Sequence, residues 1–263
     1  MVTRNANPNG ASQACGRAER RRKPAAALAL LLLAALLSGC LYPKDRLAEN
    51  RIPPREAVRN VQAAVDQFRE EQGGLLPIRN SAADTPAYEK FPVDFAKLQR
   101  MNYIGDIPSA AFEQGGSYYF LILHEETEPV VKLMDLKVFQ QLADIQEWAD
   151  AYRRSNGGEL PAGEVIYPGF RVLDFAKLGR KEPVVRSMYS GQPMTLMLDE
   201  SGKVYADYGA DIRKALEKVG AAALPANADL REALVAASDF VPVKSPAYRS
   251  VNGDPQAVPP DKE

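Results

Sequence analysis

Histidine and tryptophan each occur once in these 263 residues, and cysteine twice. A lone His124 excludes a multi-histidine metal site, and any Ser-His-Asp triad has to be built on it. Cys15 and Cys40 both fall in the first 40 residues, so the rest of the chain has no thiol for a disulfide, a zinc-thiolate site or a cysteine nucleophile. No Gly-rich phosphate loop, nucleophile elbow or HExxH pattern is present. The pairs Gly73, Gly74 and Gly157, Gly158 end helical patterns rather than begin them, and so place carbonyls, not amides, at the tip. The apolar run at 25–37 is too short for a mature membrane span, which needs about 20 residues.

What the N-terminus does contain reads as a leader. Arg17, Arg20, Arg21, Arg22 and Lys23 form a basic cluster, and AAALALLLLAALL follows it. These are the n-region and h-region of a secretory signal. Leu37, Ser38, Gly39 and Cys40 then match the bacterial lipobox. That resemblance implies cleavage between Gly39 and Cys40 and a thioether-linked diacylglycerol on Cys40. Residues 1–39 carry six of the 33 basic side chains and one of the 34 acidic ones, leaving 27 against 33, a net of −6. An acidic balance argues against nucleic acid and against a polybasic second anchor. The acyl chains would supply membrane binding at roughly 0.8 kcal/mol per buried methylene. The expected location is the extracytoplasmic face of the cell membrane.

Residues 40–54 read as a polar tether ending in two prolines. Val58, Val61, Val65 and Phe68 then fall at helical spacing, and Gly73 and Gly74 stop the helix before Leu76 and Pro77. The pattern returns 84 positions on, with Leu142, Ile145, Ala149 and Tyr152, then Gly157 and Gly158, then Leu160 and Pro161. DFAKL occurs at 94–98 and at 174–178, with Asp at a helix N-cap position and Phe and Leu on one side. Apolar runs at 119–123 and 195–198 each lead through an acidic turn into a second strand, 130–134 or 204–208. The expected fold is α+β, with two tandem repeats, at 55–136 and 137–223. Each is a long helix, a short helical turn and a small antiparallel hairpin. The second long helix, 136–156, joins them. Residues 224–263 are expected to hold a short helix and then a disordered Pro-rich tail.

The first unit, VDQFREEQGGLLP followed by YIGDIPSAAFEQGGSYYF, resembles the globular part of type II secretion pseudopilins over about 70 residues. Pseudopilins polymerise through a continuous apolar N-terminal helix, which a cleaved lipobox replaces here, so the likeness implies local fold and not assembly. The whole chain more closely resembles a family of lipoproteins of endospore-forming Gram-positive bacteria, through LSGC, the tether and the paired GG–LP and DFAKL units. Its members have no established activity and are sometimes labelled transporter-associated binding proteins.

His124 has Glu125, Glu126 and Glu128 beside it, yet its counterpart in the second unit is the turn at Asp199 and Glu200, so it reads as a hairpin-turn residue. The acidic turn itself lacks calcium-loop spacing. Tyr118, Tyr119, Tyr205 and Tyr208 lie on hairpin strands, where alternation should turn one of each pair outward as a sugar- or protein-binding surface. No catalytic residue, metal ligand or cofactor is assigned. The expected function is a non-enzymatic one, binding or structural, through contacts with envelope proteins or cell wall. The alternative is a solute-binding lipoprotein of a transport system. Cys40→Ala is expected to abolish incorporation of labelled palmitate, and persistent labelling would overturn the lipobox reading.

Overall fold

In the computed structural model, helix α1 (Pro54–Glu71) starts on a proline, whose missing N–H falls where a helix has no internal acceptor for it. Residues 54–219, 225 and 228–259 are described; the expected leader, the lipobox with Cys40 and most of the tether lie outside them. α1 buries Ala57, Val58, Val61, Ala64, Val65 and Phe68 along one stripe. It ends as its glycines dictate. Gly73 and Gly74 take φ of 65° and 89°, and the Gly74 N–H donates to the Arg69 carbonyl.

The stripe packs on a hairpin, β1 (Tyr118–Leu123) and β2 (Val130–Asp135), with Phe120 opposite Leu133 and Tyr119 opposite Met134. Phe120, Ile122, Val131 and Leu133 face α1, while Leu121, Leu123 and Met134 enter a second core. Both faces are therefore covered, which is why the strand reads as continuous FLIL rather than as an alternation. Bridges from Pro92 to Leu121 and from Ile78 to Val93 extend the sheet beyond β1. Helix α2 (Phe95–Arg100) is the first DFAKL. The Asp94 carboxylate accepts the Lys97 N–H at 2.9 Å, and Phe95 and Leu98 are buried.

Helix α3 (Leu136–Ser155) follows β2 without a loop. Buried Asp135 turns the chain, its carboxylate accepting the N–H groups of Lys137 and Val138. A four-stranded antiparallel sheet comes next, in the order β3 (Ala162–Tyr167), β4 (Phe170–Leu173), β5 (Leu196–Asp199), β6 (Val204–Ala206). The hairpin β3–β4 occupies what was expected to be a loop. It turns at Pro168 and Gly169, and two register shifts obscure its alternation. The second DFAKL keeps its cap, with Asp174 accepting from Ala176 and Lys177, and Phe175 is buried. A helical turn follows it, the Leu178 N–H donating to the Asp174 carbonyl and the Gly179 N–H to that of Ala176.

One contact recurs in both halves. The Gln62 side chain donates to the Pro129 carbonyl at 3.1 Å and accepts the Val131 N–H at 2.6 Å, while also donating to Asp66. Gln146, 84 residues later, donates to the Gly202 carbonyl at 3.0 Å, accepts the Val204 N–H at 2.7 Å, and donates to Asp150. Arg69 and Arg153 repeat the pattern two turns on, donating to the carbonyls of Thr127 and Ser201.

The C-terminal part overturns the expectation of a disordered tail. After α4 (Gly209–Val219) and α5 (Arg231–Ala237), residues 239–244 run along the sheet edges. The Leu133 N–H donates to the Asp239 carbonyl and the Val241 N–H to the Leu133 carbonyl, while the Ala206 N–H donates to the Lys244 carbonyl. A hairpin follows, β7 (Ala247–Val251) and β8 (Asp254–Val258), turned by Asn252 and Gly253 at positive φ. Tyr248 of β7 is 0% exposed. Its hydroxyl donates to Asp207 at 2.6 Å and accepts the Tyr208 N–H at 2.9 Å. Tyr248→Phe leaves that N–H unpaired in the core. It should cost about 1–3 kcal/mol, read as a lower urea midpoint at unchanged slope by the fluorescence of the sole tryptophan, Trp148. An unchanged midpoint would contradict the packing of this segment.

Candidate functional site

Of the four tyrosines picked out as a surface, two are interior. Tyr205 and Tyr208 are 5% and 3% exposed. The Tyr205 hydroxyl donates to Asp199, and that of Tyr208 to the Val243 carbonyl. They cannot form the expected binding surface, because the C-terminal segment and the second core cover what alternation alone would leave open. Tyr118 is half-buried against Phe240, ring centroids 5.7 Å apart. Burial of these hydroxyls raises their pKa. For Tyr205 desolvation acts first and the neighbouring Asp199 second; for Tyr208 desolvation is followed by Asp211.

Tyr119 has a different setting. Its ring meets Phe112 edge to face, with centroids 5.0 Å apart and planes at 65°. The Arg79 guanidinium sits 5.7 Å from the centre of the Tyr119 ring and pairs with Glu113 at 3.1 Å. Phe112 is 53% exposed. It stands on a 3-10 turn, Phe112–Gln114, that begins from fully buried Ala111. The sequence offered only a weak signal for this cluster, since Arg79, Phe112 and Glu113 are distant in the chain or unremarkable in type. The Gly115, Gly116 pair after Phe112 is the one hint that the turn is tight.

His124 lies at the β1–β2 turn with φ of 55°, a conformation uncommon outside glycine. Its Nε2 is 3.0 Å from Glu232 of α5, and the other Glu232 oxygen accepts the Tyr88 hydroxyl at 2.8 Å. The Arg231 guanidinium lies 4.7 Å from the Tyr88 ring. This network ties the turn to α5, and neither Ser nor Cys is among the hydrogen-bond partners of His124 in the described residues. Among those residues there is also no group of three or more His, Cys, Asp or Glu able to hold a metal ion. No described helix is long and apolar enough to cross a membrane. A concavity of about 380 Å³ runs between α1 and β2, and the Gln62 amide lies in its wall. At one end of it Lys132 donates to the carbonyls of Val235 and Ser238, so its charge is already engaged.

The aromatic cluster falls within the matched part of the chain. Residues 54–135 match the model of a protein family described as the YphF family N-terminal domain. The match begins with the first residue of α1 and ends with the last of β2. No curated protein and no solved structure matches the chain, so the likeness to pseudopilins rests on its motif alone.

The buried tyrosines make a pH prediction. A hydroxyl whose folded pKa is raised supports folding fully below the unfolded value, about 10, and loses that contribution as pH rises through the folded one. Burial raises Tyr88, Tyr189 and Tyr248 as well as Tyr205 and Tyr208. Stability should therefore fall steeply above about pH 10, with these five phenolates appearing in the ultraviolet only as the chain unfolds. Their smooth ionisation in the folded protein would show that they are not enclosed.

Proposed function

We propose that the chain is a lipid-anchored cell-envelope protein of Gram-positive type that acts by binding and not by catalysis. The observation that carries the reading is the order of basic cluster, short apolar run and LSGC before Cys40. It implies a diacylglyceryl anchor on Cys40 and an extracytoplasmic position. The Phe112, Tyr119, Arg79 and Glu113 face supports the binding part. Aromatic and arginine side chains are enriched where protein surfaces make contact, and Phe112 and Arg79 are exposed beside half-buried Tyr119 on a backbone held by several hydrogen bonds.

The alternative, a solute-binding lipoprotein that closes two lobes on a ligand, needs a hinge between halves. Residues 239–244 hydrogen-bond to both β2 and β6, and one core contains side chains from β1, α3, β5 and β6. That arrangement favours a rigid contact surface over a closing cleft.

The test is crosslinking on intact cells with a reagent that does not cross membranes. Wild-type protein should give discrete envelope adducts, which disappear when Phe112 and Tyr119 are both changed to Ala while the amount of membrane-bound protein is unchanged. Turnover of an envelope substrate that His124→Ala abolishes would overturn the non-enzymatic reading.

A further inference from the structure

We infer that the Phe112 face is a glycan-binding site, with a pyranose ring stacked on Phe112 and its hydroxyls held by Arg79 and Glu113. The inference rests on the binding role proposed above and names the ligand class for that face. It starts from a contrast within the chain. Phe68, Phe95, Phe120 and Phe170 are all buried, while Phe112 presents half its surface to water.

The ring is also fixed in place. Its turn is closed by hydrogen bonds from the Gln114 and Gly116 N–H groups to the Ala111 carbonyl and from Gly115 to Phe112. The Ala111 N–H is bonded to the Pro108 carbonyl, and the Tyr118 N–H to that of Ala110. A side chain on Gly116 would lie 2.1 Å from the Ala110 carbonyl oxygen, so this backbone has no slack to draw Phe112 inward. Tyr119 props the ring from beside it. A flat apolar surface that is rigid before binding loses little freedom when a ligand arrives.

The polar neighbours select the chemistry. Arg79 and Glu113 neutralise each other at 3.1 Å with side chains 45% and 23% exposed, and Gln114 is exposed on the same turn. A charged ligand would have to break that pair. A wholly apolar one would bury the pair without hydrogen bonds, which is costly. A neutral polyol does neither, because each hydroxyl both donates and accepts. Sugars combine such hydroxyls with an apolar C–H face that fits an aromatic ring. A lipid headgroup or an acidic peptide would call instead for an unpaired cation at the ring, and Arg79 is paired.

The full-length protein in detergent micelles, titrated with the β-1,4-linked tetrasaccharides of N-acetylglucosamine and of glucose, gives the test by saturation-transfer NMR and calorimetry. At least one should bind, with ring protons receiving the transfer. Phe112→Ala should weaken binding at least tenfold. Arg79→Gln and Glu113→Gln should each weaken it several-fold while leaving the thermal midpoint within a degree or two. Tyr119→Phe, which keeps the ring, should bind as wild type. Arg79→Gln keeps the test valid should Phe112→Ala fail to fold. Absence of binding to both sugars overturns the inference, as does binding that neither Phe112→Ala nor Arg79→Gln reduces. Capture of an envelope protein by this face, with no sugar binding, also overturns it. Anchorage is read separately, from palmitate labelling of the same preparations. Sugar binding without label would sink the lipid reading alone, and label without sugar binding would sink the glycan alone.

Discussion

A carboxamide standing in for a strand holds each long helix to its hairpin. A sheet edge presents peptide N–H and C=O groups that must be paired or exposed to solvent and to other chains. At the outer edges of β2 and β6 the partner is a glutamine side chain from the helix above. Its oxygen takes one N–H and its nitrogen meets the carbonyl two residues away, as a neighbouring peptide would. Only an amide can do this. A carboxylate has no donor and an ammonium no acceptor, while asparagine is one methylene shorter. The aspartate one turn on, Asp66 or Asp150, accepts from the same nitrogen and fixes which way the amide faces. The clamp thus joins helix position to strand register, and the apolar stripe of α1 can meet only one set of β1 and β2 side chains.

The clamps leave the rest of each edge to residues 239–244. These pair with β2 at Leu133 and with β6 at Ala206. One segment therefore completes two sheets that are themselves distant in sequence, and Val241 and Val243 fill the space beneath them. The hairpin β7–β8 then locks the segment through Tyr248, whose hydroxyl reaches both the carboxylate of Asp207 and the backbone at Tyr208. This segment pairs with strands far from it in sequence, so its docking depends on both sheets already being in place.

That dependence explains what was legible in the sequence. The long helices, their glycine stops, the capping aspartates Asp94 and Asp174 and the hairpins at β1–β2 and β5–β6 are local features, governed by periodicity and turn chemistry. Residues 239–258 misled because five prolines between 242 and 260 suggested a chain without structure. The stronger signal was Asn252 followed by Gly253, the dipeptide that suits a two-residue hairpin turn. The β3–β4 hairpin was hidden by its register shifts, which break the alternation on which strand recognition depends. The tyrosines failed for a different reason. Alternation says that Tyr205 and Tyr208 sit on a strand and its exit; what covers them is decided by residues some 35 positions later.

The same logic bears on why the exposed ring is Phe112 and not one of the tyrosines. β1 and β2 are covered on both faces by α1 and by the second core, so no strand position in that hairpin can offer a broad open surface without opening a core. An aromatic meant for contact has to stand on the loop that leads into the sheet, held by backbone bonds and not by packing. The turn before β1 meets that condition: Ala111 is buried beneath it, Gly115 takes a φ of 75°, and Gly116 allows an approach that no other residue could make. Tyr119, near the start of β1 and half-buried, supports that ring from the side. The face is therefore a consequence of a sheet enclosed on both sides, with the proposed contact residues displaced to the rim.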